Sequence, residues 1–284
     1  MEFSKWEGLG NDYIILEAAT LPGPLDAGRI ALLCDRHTGV GADGILVHHV
    51  VRVEDDVSST SRAGSWDRPL VARMQVFNPD GSEAEMCGNG IRMFAKYLRG
   101  RDLAPDGPFV ILTAAGPITP ELLPDGRVRV GMGKARVAEQ RELQAAGMTF
   151  TYHAVDVGNP HCVIQYADLE ALPLSEWGPA VERNDAFPNR TNVEFVRLEA
   201  DGSITMRVWE RGVGETNACG TGATAVGAAA IGLGLAVSPV VVHLLGGDLE
   251  IDLTADGSAV MTGPASEVFS GRASADLLWR LGWE

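Results

Sequence analysis

A chain of 284 residues is long enough for one large domain or two of ordinary size. With 45% apolar and 21% charged residues its composition is globular rather than disordered. A formal net charge of −15 disfavours nucleic acid and anionic membranes as partners, while leaving a small zwitterion free to bind through local groups.

In chain order, apolar and polar residues alternate in short strand-like runs at residues 14–16, 45–47, 73–77, 128–130 and 205–209. Helical patterns lie at residues 25–35, with Asp26 near the start, and at 91–99 and 223–235. The polar segment 54–68 (EDDVSSTSRAGSWDR) reads as a long mobile hairpin loop remote from chemistry. Residues 218–237 carry no charge, but their Ala, Gly and Thr content predicts a tightly packed buried helix rather than a membrane span. The opening residues lack the apolar core of an export signal. The four cysteines, at 34, 87, 162 and 219, are therefore expected as reduced thiols in the cytoplasm. They form no CxxC pair and the histidines show no zinc spacing, so no metal is expected.

An internal repeat carries the functional argument. Residues 73–99 (RMQVFNPDGSEAEMCGNGIRMFAKYLR) and 206–235 (MRVWERGVGETNACGTGATAVGAAAIGLGL) align at an offset of 132. Phe77 then meets Trp209, Glu83 meets Glu215 and Cys87 meets Cys219. Gly88 meets Gly220, and Gly90 meets Gly222. A weaker echo pairs Gly10-Asn11-Asp12 with Gly158-Asn159-Pro160. Each half reads as strand, polar loop, Cys-Gly-X-Gly, helix. One duplicated unit predicts two similar domains facing each other across a cleft.

A helix that begins just after Cys-Gly-X-Gly turns free N–H groups towards the space beside the cysteine, and glycines let a ligand approach. The natural guest is a carboxylate. Two such starts would hold one carboxylate and flank the adjacent carbon with two thiols. One thiolate then removes the α-proton while the other thiol returns a proton to the opposite face, inverting the carbon without a cofactor. A helix N-terminus favours thiolate by up to ~2 kcal/mol. Two thiols that close are also expected to form a disulfide in the empty site, with loss of activity until reduced. Cys34 and Cys162 lack this setting and read as small buried hydrophobes.

At these residues the chain resembles the diaminopimelate epimerase family, nearly end to end. FSKWEGLGNDYI, RHTGVGADG, FNPDGSEAEMCGNGIR, VGNPHCV, RTNVEF and VWERGVGETNACGTG follow in family order. The resemblance implies an α/β fold of two pseudo-symmetric domains, each a β-barrel-like sheet wrapped around a central helix. The first would span residues 1–117 plus 267–284 and the second 118–266. It implies interconversion of LL- and meso-diaminopimelate, without pyridoxal phosphate, on the way to lysine and cell-wall precursors. The catalytic cysteines fall on Cys87 and Cys219. The carboxylate-binding amides fall on Gly88-Asn89 and Gly220-Thr221. Asn11, Asn78, Asn159, Asn192 and Arg211 match substrate-binding positions, with Arg211 the partner for the distal carboxylate. Glu210 and His161 match polar residues beside the cysteines that bind the α-ammonium or tune the thiols. Some members carry Gln where Gly44 stands, so no side-chain contact is assigned there.

Three other readings compete. A racemase of the same fold would act on proline, hydroxyproline or histidine. A relative of the phenazine-biosynthesis type would isomerise without thiols. A protein of the same fold could bind small molecules without turnover. Asn78, Asn192 and Arg211 together suit a second amino-carboxylate end and favour diaminopimelate. The expected partner is a small amino acid, with a homodimer by base rate.

Overall fold

The computed structural model describes residues 1–51 and 67–283. Most of the 54–68 segment, through residue 66, lies outside the described residues. The chain forms two compact units, Met1–Val130 with Pro264–Glu284, and Gly131–Gly263.

In the first unit β1 (Glu2–Gly8) and β2 (Asn11–Glu17) form an antiparallel hairpin. Then α1 (Ala27–Cys34) begins at Asp26, whose carboxylate accepts from the Arg29 N–H as an N-cap. The chain returns in β3 (Ile45–Val50), parallel to β2. β4 (Leu70–Phe77) lies antiparallel to β3, and β5 (Glu83–Ala84) folds back on β4. The helix α2 (Gly88–Gly100) follows, buried on all sides through residues 88–95 and packed against β1, β2 and β4. β6 (Val110–Thr113) runs parallel to β4, with β7 (Gly116–Ile118) antiparallel beside it. β8 (Glu121–Leu122) pairs with β9 (Val128–Lys134), within which the chain leaves the first unit.

In the second unit β10 (Arg136–Ala145), β11 (Met148–Asp156) and β12 (Pro160–Gln165) make an antiparallel meander. After α3 (Leu174–Glu182), β13 (Asn192–Leu198) lies parallel to β12 and β14 (Ile204–Glu210) antiparallel to β13. β15 (Gly214–Glu215) folds on β14 and leads to α4 (Gly220–Gly232). β16 (Val240–Leu244) is parallel to β14, and β17 (Gly247–Leu253) and β18 (Ser258–Gly263) extend the sheet antiparallel. β19 (Ser266–Arg272) then returns to the first unit beside β1, and α5 (Ala275–Arg280) ends it.

The order from β1 to β7 is that from β11 to β17, strand for strand and direction for direction. The sequence repeat is thus a repeat of topology. Its two helices differ in composition. α4 is apolar and small-sided, and its buried residues lie all round it. It packs against β10 to β14 and β16 to β18, so the sheet wraps it. That is why the uncharged run at 218–237 yields a core helix over Gly220–Gly232, although residues 233–237 fall outside it and are largely exposed. No helix among the described residues is long and apolar enough to cross a membrane.

Candidate active site

Each Cys-Gly-X-Gly motif starts a helix with its cysteine as N-cap. Cys87 has an extended backbone and its sulfur accepts from the Gly90 N–H at 3.2 Å. Cys219 does the same for Gly222 at 3.3 Å. The sulfur takes the place of the usual N-cap oxygen and is fixed against the first turn, where the helix dipole favours negative charge. All four cysteines are free thiols. Cys34 and Cys162 are buried outside these motifs, and burial pushes Cys34 up to about 11 and Cys162 well above the ordinary thiol value.

In the first unit the structure brings Cys87, Gly88, Asn89 and Asn11 together. Asn89 Nδ2 donates to Asn11 Oδ1 at 3.1 Å, and Asn11 Nδ2 donates to Asp43 Oδ2 at 3.0 Å. Asp43 thereby orients the Asn11 amide. Arg92, wholly buried one turn into α2, donates to Gly88 O at 3.1 Å and Asn89 Oδ1 at 3.0 Å. It ties the first turn of the helix down. Desolvation lowers Arg92 to about 10, against the opposing pull of Cys87 and Glu7. Tyr13 Oη stands 3.5 Å from the Cys87 sulfur. Asn78 sits in the turn after β4, its amide donating to Ser82 Oγ at 3.0 Å. At Gly44 a Cβ would come within 2.5 Å of Phe77 O and of Tyr13 Cε1. The close packing of β2, β3 and β4 therefore leaves no room for a side chain there.

In the second unit Cys219, Thr221, Asn159, His161 and Glu210 form one group, with Cys219 and His161 buried and the others partly buried. Thr221 Oγ1 lies 3.6 Å from the Cys219 sulfur and accepts from Asn159 Nδ2 at 3.3 Å. Asn159 Oδ1 lies 2.9 Å from His161 Nε2, and His161 Nδ1 lies 2.6 Å from Glu194 Oε1. Burial raises the Cys219 thiol well above its ordinary value, and the charges of Glu210 and Glu194 raise it further. Hydrogen bonds from Thr221 and Gly222 act in the opposite sense without prevailing. At this cysteine desolvation outweighs the helix dipole. Burial likewise raises Glu210, despite hydrogen bonds from Thr216 and from the Cys219 thiol.

Asn192 and Arg211 are joined, the Arg211 N–H donating to Asn192 Oδ1 at 2.9 Å. The Arg211 guanidinium lines a cleft of about 760 Å³ together with Asn159, His161, Arg136 and Arg190. That volume suits a small ligand, and three arginines against one aspartate, Asp156, in the lining suit an anionic one.

Four neighbours of these groups escape the sequence reading: Tyr13, Asp43, Arg92 and Glu194. Tyr13 was within reach, since the Asn11–Asn159 echo carried two residues further sets Tyr13 opposite His161. Glu194 was not, because in RTNVEF it alternates with Val193 and Phe195 and reads as a residue on the outer face of a strand.

Two thiols held as N-caps of equivalent helices lie on a duplicated α/β topology. The fold is similar to that of the solved structure of a hydroxyproline epimerase from Agrobacterium vitis, with a TM-score of 0.66 over 97% of this chain and 93% of that one, at 15% identity. A phenazine biosynthesis protein of the PhzF family from Bacillus anthracis matches at TM-score 0.68 and 14% identity, covering 96% and 99%. At such identities the likeness is one of fold. The chain belongs to the diaminopimelate epimerase family, a family of isomerases, whose profile matches residues 3–138 and 153–268. The diaminopimelate epimerase of Pelotomaculum thermopropionicum is 44% identical over 95% of this chain and 98% of its own length.

Proposed function

We propose that the chain interconverts LL- and meso-diaminopimelate with Cys87 and Cys219 as the paired acid and base, serving lysine and cell-wall precursor synthesis. The observation that carries this reading is the matched setting of the two sulfurs, each bonded to the third N–H of its helix. A thiolate takes the α-hydrogen as a proton, leaving the electron pair on the α-carbon and its carboxylate. The second thiol gives its proton to the opposite face of that carbon. One C–H bond breaks, one forms, and the two sulfurs exchange roles.

The first-turn amides at Gly88-Asn89 and Gly220-Thr221 stabilise the charge that builds on the carboxylate. Arg211 takes the distal carboxylate, with Asn78 and Asn192 completing the recognition of that end. Asn11 and Asn159 bind the reacting end, and His161 and Glu210 support the sulfurs. The Arg211 cleft favours diaminopimelate over proline or hydroxyproline, which have no second carboxylate to fill it.

The test is α-proton exchange in D₂O, followed by NMR under reducing conditions. LL-diaminopimelate is expected to convert to the meso form with deuterium at one centre, and proline to stay unlabelled. Cys87→Ala and Cys219→Ala are each expected to lose at least ~10²-fold in turnover. Exchange of proline without exchange of diaminopimelate contradicts the substrate, and activity in both alanine variants contradicts the thiol pair.

A further inference from the structure

Glu194 lies in β13 between two buried apolar residues, Val193 and Phe195, with its side chain wholly out of solvent. Its Oε1 meets His161 Nδ1 at 2.6 Å, while its Oε2 is buried with no hydrogen-bond partner. Such a carboxylate is costly to bury.

The first unit shows that the fold does not need it. Ile45 pairs with Phe77 as Val193 pairs with Trp209. The next residue is Leu46 in one unit and Glu194 in the other. Both lie under the same point of their helices. A Cβ on Gly90 would come 3.0 Å from Leu46 Cδ2, and a Cβ on Gly222 would come 2.9 Å from Glu194 Oε1. By the same registers Tyr13 and His161 are equivalent. Where one half has tyrosine and leucine, the other has a histidine bound to a carboxylate.

A chain of hydrogen bonds leads from that carboxylate to Cys219 inside the second unit. Asn159 donates its amide to Thr221 Oγ1, so its Oδ1 is left as the acceptor for His161 Nε2. His161 must therefore carry a proton on Nε2, and because Nδ1 faces a carboxylate oxygen, which only accepts, it carries one on Nδ1 as well. Thr221, accepting from Asn159, has its own O–H to give to the Cys219 sulfur. The direction of every bond follows from one imidazole that donates from both nitrogens.

We propose that Glu194 is a positioning residue, which locks His161 as an Nε2–H donor so that the chain through Asn159 ends in a Thr221 hydroxyl aimed at the Cys219 sulfur. The proposal rests on the thiol-epimerase reading for its kinetic consequence alone. As the proton leaves Cys219, the sulfur then keeps two donors, Thr221 and the Gly222 N–H. The charge of Glu194 itself works against the Cys219 thiolate. A role through charge alone thus has the opposite sign: removing the charge would help the thiolate form.

The experiment compares wild type, Glu194→Gln and Glu194→Leu, the last installing the residue of the first unit. Glutamine, which can accept from Nδ1–H or donate to a bare Nδ1, can hold a ring protonated on Nε2, whereas leucine cannot hold the ring. In protein labelled with ¹⁵N in the histidine rings, His161 is expected protonated on Nε2 in wild type and Glu194→Gln, and released to a mixture in Glu194→Leu. With LL-diaminopimelate, Glu194→Leu is expected to lose at least ~10-fold in kcat with KM little changed, and Glu194→Gln to recover most of it. The urea midpoint of Glu194→Leu is expected to fall, because buried His161 Nδ1 loses its partner, so the imidazole spectrum and the split between kcat and KM, which a general loss of stability would not move, carry the test. An unprotonated Nε2 in wild type overturns the proposal without any variant. A Glu194→Leu enzyme with unchanged kcat, or with reduced kcat but an unchanged tautomer, also overturns it. If wild type leaves diaminopimelate untouched, the substrate is wrong, and the imidazole spectrum still decides the role of Glu194.

Discussion

Burial raises the Cys219 thiol, and Glu210 lies next in the order of causes. The sign of that second effect is testable. Removing a negative neighbour lowers a thiol's pKa, so its thiolate appears at lower pH. In a Cys87→Ala background, Glu210→Gln is expected to move the pH profile of Cys219 alkylation by iodoacetamide to lower pH. Peptide mass spectrometry reads the site, and an unmoved profile would mean that Glu210 carries no charge beside the thiol. At this scale the cysteines were legible because their offset of 132 residues is shared by the glycines around them. Glu194 was not legible. In Asn192-Val193-Glu194-Phe195 the alternation reads as polar residues facing out, yet all four are buried. Its function depends on His161, 33 residues away in sequence and on the neighbouring strand.

The starts of α2 and α4 are alike in backbone and unlike in what lies beneath them. A methyl group at Gly90 would press on Leu46 Cδ2, the far end of a flexible side chain. At Gly222 it would press on Glu194 Oε1, which His161 holds in place. Gly222→Ala is therefore expected to cost at least ~10-fold more in turnover than Gly90→Ala, in the same sense as disturbing Glu194 directly. Equal losses would show that the carboxylate is free to move aside. Helices α1 and α2 were readable from apolar spacing, α4 from its uncharged Ala- and Gly-rich composition, and the N-cap at Asp26 from its residue type. Helix α3 was hidden by its Gly178-Pro179 pair, which reads as a breaker. The structure gives a reason for the glycine. A Cβ there would come 2.6 Å from Trp209 Cγ, so close packing on β14 overrides helix propensity.

Across the whole molecule, duplication accounts for most of what the sequence discloses, and divergence between the copies for most of what it hides. The sequence placed the passage between halves near residue 117, and the compact units exchange at 130, within β9. No composition change marks that strand. Stability against acid is a property of the whole chain with a local source. Burial acts to raise Asp12, but hydrogen bonds from Arg36 and Lys5 outweigh it and hold the carboxyl well below the usual range. A depressed pKa stabilises the fold above the unfolded value of about 3.9, and that contribution is lost as pH falls through the folded value. Asp12→Asn should thus be less stable than wild type by ~2 kcal/mol at pH 7, with the gap closing below about pH 4. A gap independent of pH in urea titrations would assign the effect to packing.

The central claim is that two different thiols handle the two faces of one carbon. The most direct test is where deuterium goes in the first few per cent of reaction of LL-diaminopimelate in D₂O. If one sulfur removes the proton and another supplies its replacement, the meso product carries deuterium at the inverted centre while recovered LL substrate carries almost none. A single base serving both faces would return deuterium to the LL substrate as readily as to the product, and that result would contradict the account.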